Sequence, residues 1–549
     1  MNGAQALVKT LINSGINICF TNPGTSEMHF VAALDGTDMR AVLTLFEGVA
    51  TGSADGYARM TDKPAATLLH LGCGLGNGLA NLHNARKGRV PVLNIIGDHA
   101  TYHVKYDAQL QSNIETIARN FSSWVRTCSS TEQLCKDAVE AIAAAKGPPG
   151  QIASLILPAD VSWSQGGNPS PAPDLNEPPA ASADVVDQIA GVLKNSENAA
   201  ILLGARVLRE DGLLSASRIT QKTGAKLFAE VFPARMQRGA ELPRVERIAY
   251  LAEMASIQLA GLKDLILIDA KAPVSFFAYP DKKSYLVPDA CSVHELSTPD
   301  QDALKSLEAL VESVGAKNTA PKLQQAERPK LPKGRLTASK ACQAIGALLP
   351  ERAIISDEAQ TSGVKLSLYT AGAPKHDVLT LTGGAIGQGL PVAIGASVAC
   401  PDRPVVALVG DGSAMYTIQS LWTMARENLD ITVIVFNNRS YGILNIELER
   451  VGAEKAGPKA KSQLDLSQPP LDFVSMAKGM GLPAQRVKTS RQFNNAFKKA
   501  IREPGPHLID AIVPSEFRGL RLKALPYVLK ALDKMPLPVA RAIKRKFAP

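Results

Sequence analysis

Residues 404–438 read PVVALVGDGSAMYTIQSLWTMARENLDITVIVFNN. The apolar run before Gly410 predicts a buried strand, Gly410-Asp411-Gly412-Ser413 a tight turn, AMYTIQSLWTMAREN one helix, and ITVIVF a second strand ending at Asn437-Asn438. This unit belongs to an open parallel sheet, and it sets Asp411 and Asn438 at the carboxyl ends of neighbouring strands, where such sheets bind ligands. A carboxylate, a side-chain amide oxygen and a backbone carbonyl just beyond form a hard-oxygen set suited to Mg²⁺ completed by water and a diphosphate. GDG is also a common turn and Asn-Asn a common strand terminus. A dinucleotide fingerprint fails, because its sixth position is Met415 rather than Gly or Ala, and a Walker lysine is missing.

Outward from this unit, 549 residues exceed what one hydrophobic core supports, so three compact units are expected. With 45% hydrophobic and 20% charged residues and 42 Gly, the composition is that of a large α/β enzyme. No apolar run approaches a membrane span, and the N-terminus opens into an amphipathic pattern (Ala6, Leu7, Leu11, Ile12) without a signal segment, so a cytoplasmic protein is expected. Seven scattered cysteines without a CxxC suggest neither a disulfide framework nor a zinc site. The net charge is +9, but residues 516–549 hold nine Lys or Arg against two acids and so carry +7 of it. The rest is nearly neutral and lacks a basic stripe interleaved with aromatics, which argues against a nucleic-acid partner.

Residues 1–165 alternate helical stretches with the strand candidates AVLTLF, AATLLHL, VPVLNIIG and IASLILP. Residues 163–183 are rich in Pro, Gly and Ser and read as a linker. A second segment, 184–325, holds AAILLGA, AKLFAEV and DLILIDA, and a polar, Pro-bearing connection follows near 321–336. A third, 337–514, holds RAIISD, VVALVGDG, ITVIVFNN and HLIDAIV. The fold class predicted is α/β, with three doubly wound parallel-sheet domains and a basic amphipathic tail at 515–549.

GDGS with Asn-Asn 27 residues after Asp411 resembles the thiamine diphosphate motif of the 2-oxo-acid decarboxylase and acetolactate synthase superfamily. TNPGTSE (21–27), FEGVATGSADGYAR (46–59) and LLHLGCGLGNGLANLHNA (68–85) are similar to its pyrimidine-binding domain, and residues 383–422 to its diphosphate-binding domain. The resemblance implies an enzyme that breaks or forms the carbon–carbon bond beside the carbonyl of a 2-oxo acid, using thiamine diphosphate and Mg²⁺. It implies a homodimer or homotetramer with active sites at the subunit interface.

On the same basis Glu47 matches the glutamate that hydrogen-bonds the aminopyrimidine ring and promotes its imino tautomer, so that the cofactor carries the chemistry and the protein tunes it. Ile386, 25 residues before Asp411, matches the apolar wedge that bends the cofactor. His70 resembles the active-site histidine of benzoylformate decarboxylases, and Thr25 or Ser26 their hydroxyl near the substrate carboxylate. Asn77, Gln360 and Gly384 are implied as cofactor contacts, as are Gly410, Gly412, Ser413 and Tyr441; Asp411, Asn438 and Ser440 are implied as metal ligands. Apart from the resemblance, Glu47 reads as a helix N-terminal acid, Ile386 as core, His70 as a buried hydrogen-bonded histidine and Thr25-Ser26 as a plain turn.

The decarboxylases' second histidine has no counterpart in APVSFFAYP (272–280), and no motif decides for FAD or a coenzyme A nucleotide in the second segment. A 2-hydroxyacyl lyase and a non-catalytic scaffold relative are the alternatives; intact Glu47, Asp411 and Asn438 speak against the scaffold. In the tail, Leu522, Leu525, Val528, Leu529 and Leu532 recur at helical spacing, interrupted by Pro526. A docked helix, a flap over the active-site mouth and a membrane-surface segment are its three readings, the flap preferred to the membrane because Pro536 and Pro538 leave a short basic surface.

Overall fold

The computed structural model describes residues 1–279, 282–451, 453, 456–515, 522, 527–529, 531 and 535–547. Its first sheet holds β1 (Ile18–Asn22), β2 (Arg40–Leu43), β3 (Ala65–His70), β4 (Val92–Asp98), β5 (Trp124–Thr127) and β6 (Ile152–Pro158). Their spatial order is β2-β1-β3-β4-β6-β5, and every adjacent pair is parallel. β3, β4 and β6 are buried almost throughout, which is why AATLLH, VLNIIGD and IASLILP carry nearly unbroken apolar runs instead of alternation.

Next along the chain come β7 (Ala199–Leu203), β8 (Lys226–Ala229), β9 (Met236–Arg238), β10 (Glu246–Arg247), β11 (Asp264–Ile268) and β12 (Ser292–Ser297). Five of them form a parallel sheet in the order β10-β8-β7-β11-β12. The last set is β13 (Ile354–Glu358), β14 (His376–Thr380), β15 (Val405–Gly410), β16 (Ile431–Asn437), β17 (Ala484–Val487) and β18 (His507–Ile512). The third sheet runs β17-β18-β16-β15-β13-β14-β9, and β9 pairs antiparallel with β14. A purely parallel third sheet is thus corrected: three residues from the second segment cross over and cover its β14 edge, where backbone donors and acceptors would otherwise lie open.

Leaving β9 aside, the first and third sheets share one winding. After its first strand the chain adds one strand on one side and the third on the other, so the direction reverses between β1 and β3 and again between β13 and β15. Those reversals open crevices at the strand carboxyl ends. The helices Glu47–Thr61 and Gly389–Ala399 follow the equivalent strands β2 and β14 and pack against each other. Their approach depends on Gly52, Gly56 and Gly395: a Cβ at Gly56 would lie 2.2 Å from Val392 O, and one at Gly395 1.9 Å from Ser53 O. One continuous apolar core consequently joins the two sheets, from Phe20 and Val49 to Val392, Val409 and Val435.

One further expectation is corrected, and of the three readings of the tail the described part follows the docked helix. The helix after Asp411 is two helices, Asp411–Tyr416 and Ser420–Arg426, broken at Thr417, whose hydroxyl donates to Gly387 O at 2.9 Å. In the tail, Leu525, Leu532, Lys523, Lys530 and Lys534 lie outside the described residues, but a helix spans Leu537–Phe547. It is docked: Ala540 is buried with Met254, Ile257, Ile446 and Leu529, Lys544 pairs with Glu246, and Arg541 donates to Ala260 O at 3.2 Å. Among the described residues, no helix is long and apolar enough to cross a membrane.

Candidate active site

β15 ends at Gly410, and Asp411 opens the next helix with its carboxylate buried. Gly412 N donates to Oδ1 at 2.9 Å and Arg439 N to Oδ2 at 2.5 Å, so each oxygen keeps a lone pair. Burial pushes the carboxyl up to about 6 against the pull of these backbone donors. Asn438 stands immediately beyond β16; its Oδ1 accepts from Ser440 N at 2.9 Å. Ser440 is held by its hydroxyl, which donates to Leu464 O at 3.2 Å and accepts from Asn445 Nδ2 at 3.0 Å. Arg439, between them, has φ +59°, a left-handed conformation that costs a non-glycine residue about 1–3 kcal/mol and turns the chain sharply at the strand end. Among the described residues no three His, Cys, Asp or Glu side chains cluster as metal ligands. The local oxygen set is one carboxylate, one amide and backbone carbonyls, which suits a hard cation that keeps water and phosphate oxygens.

Gly412 is required by its neighbour, since a Cβ there would lie 2.3 Å from the Tyr441 ring. Ser413 is buried one residue on, whereas a side chain at Gly410 would meet only Ser413 Oγ, at 3.7 Å. This leaves space in front of the turn. On the other side of β15, Glu358 closes β13, fully buried, and takes the backbone N–H groups of Gly387, Gln388 and Gly389 at 2.6, 3.4 and 2.7 Å. Ala385 is held from the other flank by Asn84, which accepts from its N–H at 3.1 Å and donates to its carbonyl at 2.8 Å. Ile386 thus sits between two anchored residues and is only half-buried, outside the apolar cores. Gly384, at φ +78°, lies against the Phe276 ring, 2.4 Å from where its Cβ would be. Gln360, half-buried at φ +49°, begins the turn after β13.

The first sheet presents two acids. Glu47 is the first residue of its helix and is buried; Asn77, exposed on the helix Leu71–Lys87, donates to Oε2 at 3.0 Å. A side chain at Gly74 would come within 2.9 Å of Oε1. Asn81 links this end of the helix to the Ile386 loop, donating to Gly48 O at 2.7 Å and to Gly387 O at 3.4 Å. His70 ends β3, partly exposed, and the next residue, Leu71, has φ +54°. Its Nδ1 meets Glu27 Oε2 at 2.9 Å, and the same oxygen accepts from Gly24 N at 2.6 Å. A Cβ at Gly24 would lie 2.3 Å from Nδ1, so only glycine admits the imidazole there. Burial drives the Glu27 carboxyl up, opposed by the Gly24 N–H and by His70, and Oε1 has no partner among the described residues. The pair can hold and pass a proton at His70, with the imidazole fixed by Nδ1.

Thr25 and Ser26 lie on the 3₁₀ turn ending at Glu27, Thr25 exposed and Ser26 half-buried. The structure brings His70 to this turn, Glu47 to Asn77, and Ile386 between the Glu358 and Asn84 anchors, with Gly384 just before them. Sequence reading missed Glu27 and Glu358. The available signal was positional: Glu358 is the last residue of β13 and Glu27 lies on the turn that follows β1, the two strands at which the sheets reverse. No histidine comes from residues 272–280; Phe276 takes the place beside Gly384, in ring contact with Phe232, Tyr250 and Phe277.

The chain is similar to known proteins over nearly its whole length. Residues 1–119 match the model of the thiamine pyrophosphate enzyme N-terminal TPP binding domain, and residues 360–511 that of the C-terminal TPP binding domain. A Mycobacterium tuberculosis protein provisionally named acetolactate synthase large subunit IlvX is 56% identical over 519 residues, covering 94% of this chain and 99% of its own. The benzoylformate decarboxylase of Pseudomonas aeruginosa is 28% identical over 545 residues, 93% of this chain and 98% of its own. The solved structure of the Rhodococcus jostii RHA1 thiamine diphosphate-dependent 4-hydroxybenzoylformate decarboxylase superposes with a TM-score of 0.83 at 24% identity, over 94% of this chain and 100% of that one.

Proposed function

Because the chain belongs to the thiamine pyrophosphate enzymes, in the family of acetolactate synthase and benzoylformate decarboxylase, we propose that Glu47 and Asp411 flank its cofactor and that a 2-oxo acid is cleaved between C1 and C2 in front of His70. The observation that carries this reading is the pair of crevices at equivalent reversals of two equally wound sheets, one holding a buried carboxylate on Asn77, the other a buried carboxylate beside Asn438. Thiamine diphosphate, when bound, supplies the nucleophilic carbon for the 2-oxo carbon and the sink for the electron pair left by carbon dioxide. Asp411, the Asn438 amide and the Ser440 carbonyl would hold Mg²⁺ against its diphosphate, with Gly410, Gly412 and Ser413 leaving room in front. Glu47 would hold a proton at the aminopyrimidine ring, steadied by Asn77. Ile386 would support the ring system from a loop that Glu358 and Asn84 fix; Gln360, Gly384 and Tyr441 would border it. His70, oriented through Nδ1 by Glu27, moves a proton at its other ring nitrogen, and Thr25 and Ser26 stand ready for the substrate carboxylate.

The Glu27–His70 pair favours protonation of the cleaved fragment to an aldehyde. A second reading, capture of the fragment by another carbonyl compound, is favoured by the 56% identical relative named for acetolactate synthesis. We further propose a homodimer or homotetramer: Cys73, Gly76, Asn77 and Ala80 are exposed on the helix whose Asn77 holds Glu47, and a second copy would cover that small-residue face. Seven scattered cysteines without a CxxC, none in a disulfide among the described residues, support a cytoplasmic location. Incubating the holoenzyme with a panel of 2-oxo acids, with and without aldehyde acceptors, and identifying products by mass tests the reading. Aldehyde release supports the decarboxylase and 2-hydroxyketones the ligase; no cofactor-dependent product from any acid would refute both.

A further inference from the structure

Asp357 precedes Glu358 on β13 and, by strand alternation, points to the opposite face. There it meets a partly enclosed cavity of about 10 Å³, lined by Arg238 at the end of β9, Arg247 at the end of β10, Asp357, Ser367, Thr370 and Thr380, with apolar walls otherwise. Two guanidinium groups and one carboxylate leave this cavity with a formal charge of +1.

The charges are not paired as elsewhere in the molecule. Arg59 reaches Asp55 at 2.6 Å, Arg235 and Arg403 both reach Asp377 at 2.6 Å, and Arg450 reaches Glu253 at 3.0 Å. Arg238 instead donates from Nη2 to the Ser367 carbonyl at 3.0 Å, and its buried Nε has no partner among the described residues. The Arg247 side chain forms no hydrogen bond or ion pair among the described residues, although Asp357 attracts it across the cavity. Asp357 takes its hydrogen bond from Ala359 N, at 3.2 Å. Burial and the neighbouring Arg247 and Arg244 pull Arg238 down to about 10, so it stays charged at neutral pH. Arg238 and Arg247 are both only half-exposed, and cations taken partly out of water are costly without a counter-charge.

We propose that this cavity binds one small inorganic monovalent anion of halide size, held between Arg238 and Arg247. One such ion brings the formal charge to zero, and the volume admits about one water-sized group, which excludes a nucleotide or a coenzyme phosphate chain. The ion would tie three elements together: β9 on the edge of the third sheet, β10 on the edge of the second, and the turn after β13. Asp357 holds Ala359 N, and Gln360 follows, so occupancy of the cavity steadies the turn that borders the cofactor crevice.

The test is anomalous diffraction from crystals of the full-length wild-type holoenzyme grown in sodium bromide. A bromine peak within hydrogen-bonding distance of both guanidinium groups is expected; its absence from the cavity would overturn the proposal. In solution, replacing gluconate by bromide at constant ionic strength should raise the wild-type unfolding midpoint along a saturating curve, as a ligand specific to the native state does. The Arg247→Met variant should give a flat response, and an equal rise in variant and wild type would equally overturn the proposal.

Discussion

Burial raises the Asp411 carboxyl, so a metal ion bound there would have to displace a proton only below about pH 6. Its folded pKa, about 6, lies above the ordinary aspartate value. Its contribution to stability is therefore present below about pH 4 and lost as the pH rises through about 6. A divalent cation competes with that proton, so metal-dependent thiamine diphosphate affinity should fall about tenfold per pH unit below about pH 6 and level off above it. Calorimetric titration across this range checks the slope, and Asp411→Ala should abolish the metal dependence. For Glu47→Gln, Asn77 keeps an acceptor and cofactor binding should survive, while turnover drops by about 10²–10⁴-fold or more; near wild-type turnover would contradict the assignment. His70→Ala should slow substrate steps by about 10²-fold with cofactor affinity unchanged, measured by single-turnover kinetics. The positions of these three residues were legible because each stands where an apolar run stops, while the roles of Glu47 and His70 were implied only by the resemblance. Glu27 and Glu358 were not legible: an acid in the polar TNPGTSE turn, or next to Asp357 at a strand end, reads as solvated, and their burial comes from contacts remote in sequence, such as Gly97 against Glu27 and the Gly387–Gly389 amides around Glu358.

At the scale of elements, the long buried strands announce themselves and the short edge strands do not. β3, β4, β6, β15 and β16 are apolar runs, whereas β9 and β10 have three and two residues and exist because a neighbouring edge offers backbone partners. The break at Thr417 was likewise illegible, since it depends on the Gly387 carbonyl that the Thr417 hydroxyl reaches from another loop. The turn after β15 tolerates no side chain at its second glycine: Gly412→Ala should displace Tyr441, weaken cofactor binding and cost about 1–3 kcal/mol of stability in denaturant unfolding. The tail helix Leu537–Phe547 clasps Ile446 of the helix that follows Asn438 together with Met254 and Ile257. Deleting residues 517–549 should lower the unfolding midpoint and raise KM, because that apolar contact is exposed to water; an unchanged midpoint would show that the docked helix adds nothing to stability.

Taken as a whole, the molecule pairs two equally wound sheets through glycine-lined helices, and the exposed face beside Asn77 argues for a second copy over each crevice. If Glu47 of one copy serves the Asp411 of another, mixing inactive Glu47→Gln chains with inactive Asp411→Ala chains should restore about a quarter of wild-type activity, because half the dimers are mixed and each has one intact site. No recovery under subunit exchange would place the site within one chain. The three-sheet plan was readable from the alternation of apolar runs and helical stretches; the crossover of β9 and the seating of the tail were not, because both are decided by surfaces that exist only after folding. The site's activation of its cofactor can be measured without knowing the substrate, by following exchange of the thiazolium ring proton of bound thiamine diphosphate for deuterium, quenched in acid and read by proton NMR. Exchange on the wild-type protein with Mg²⁺ should exceed that of free cofactor by about 10²-fold or more and should fall back in Glu47→Gln; equal exchange in wild type, variant and free cofactor would contradict the role given to this site.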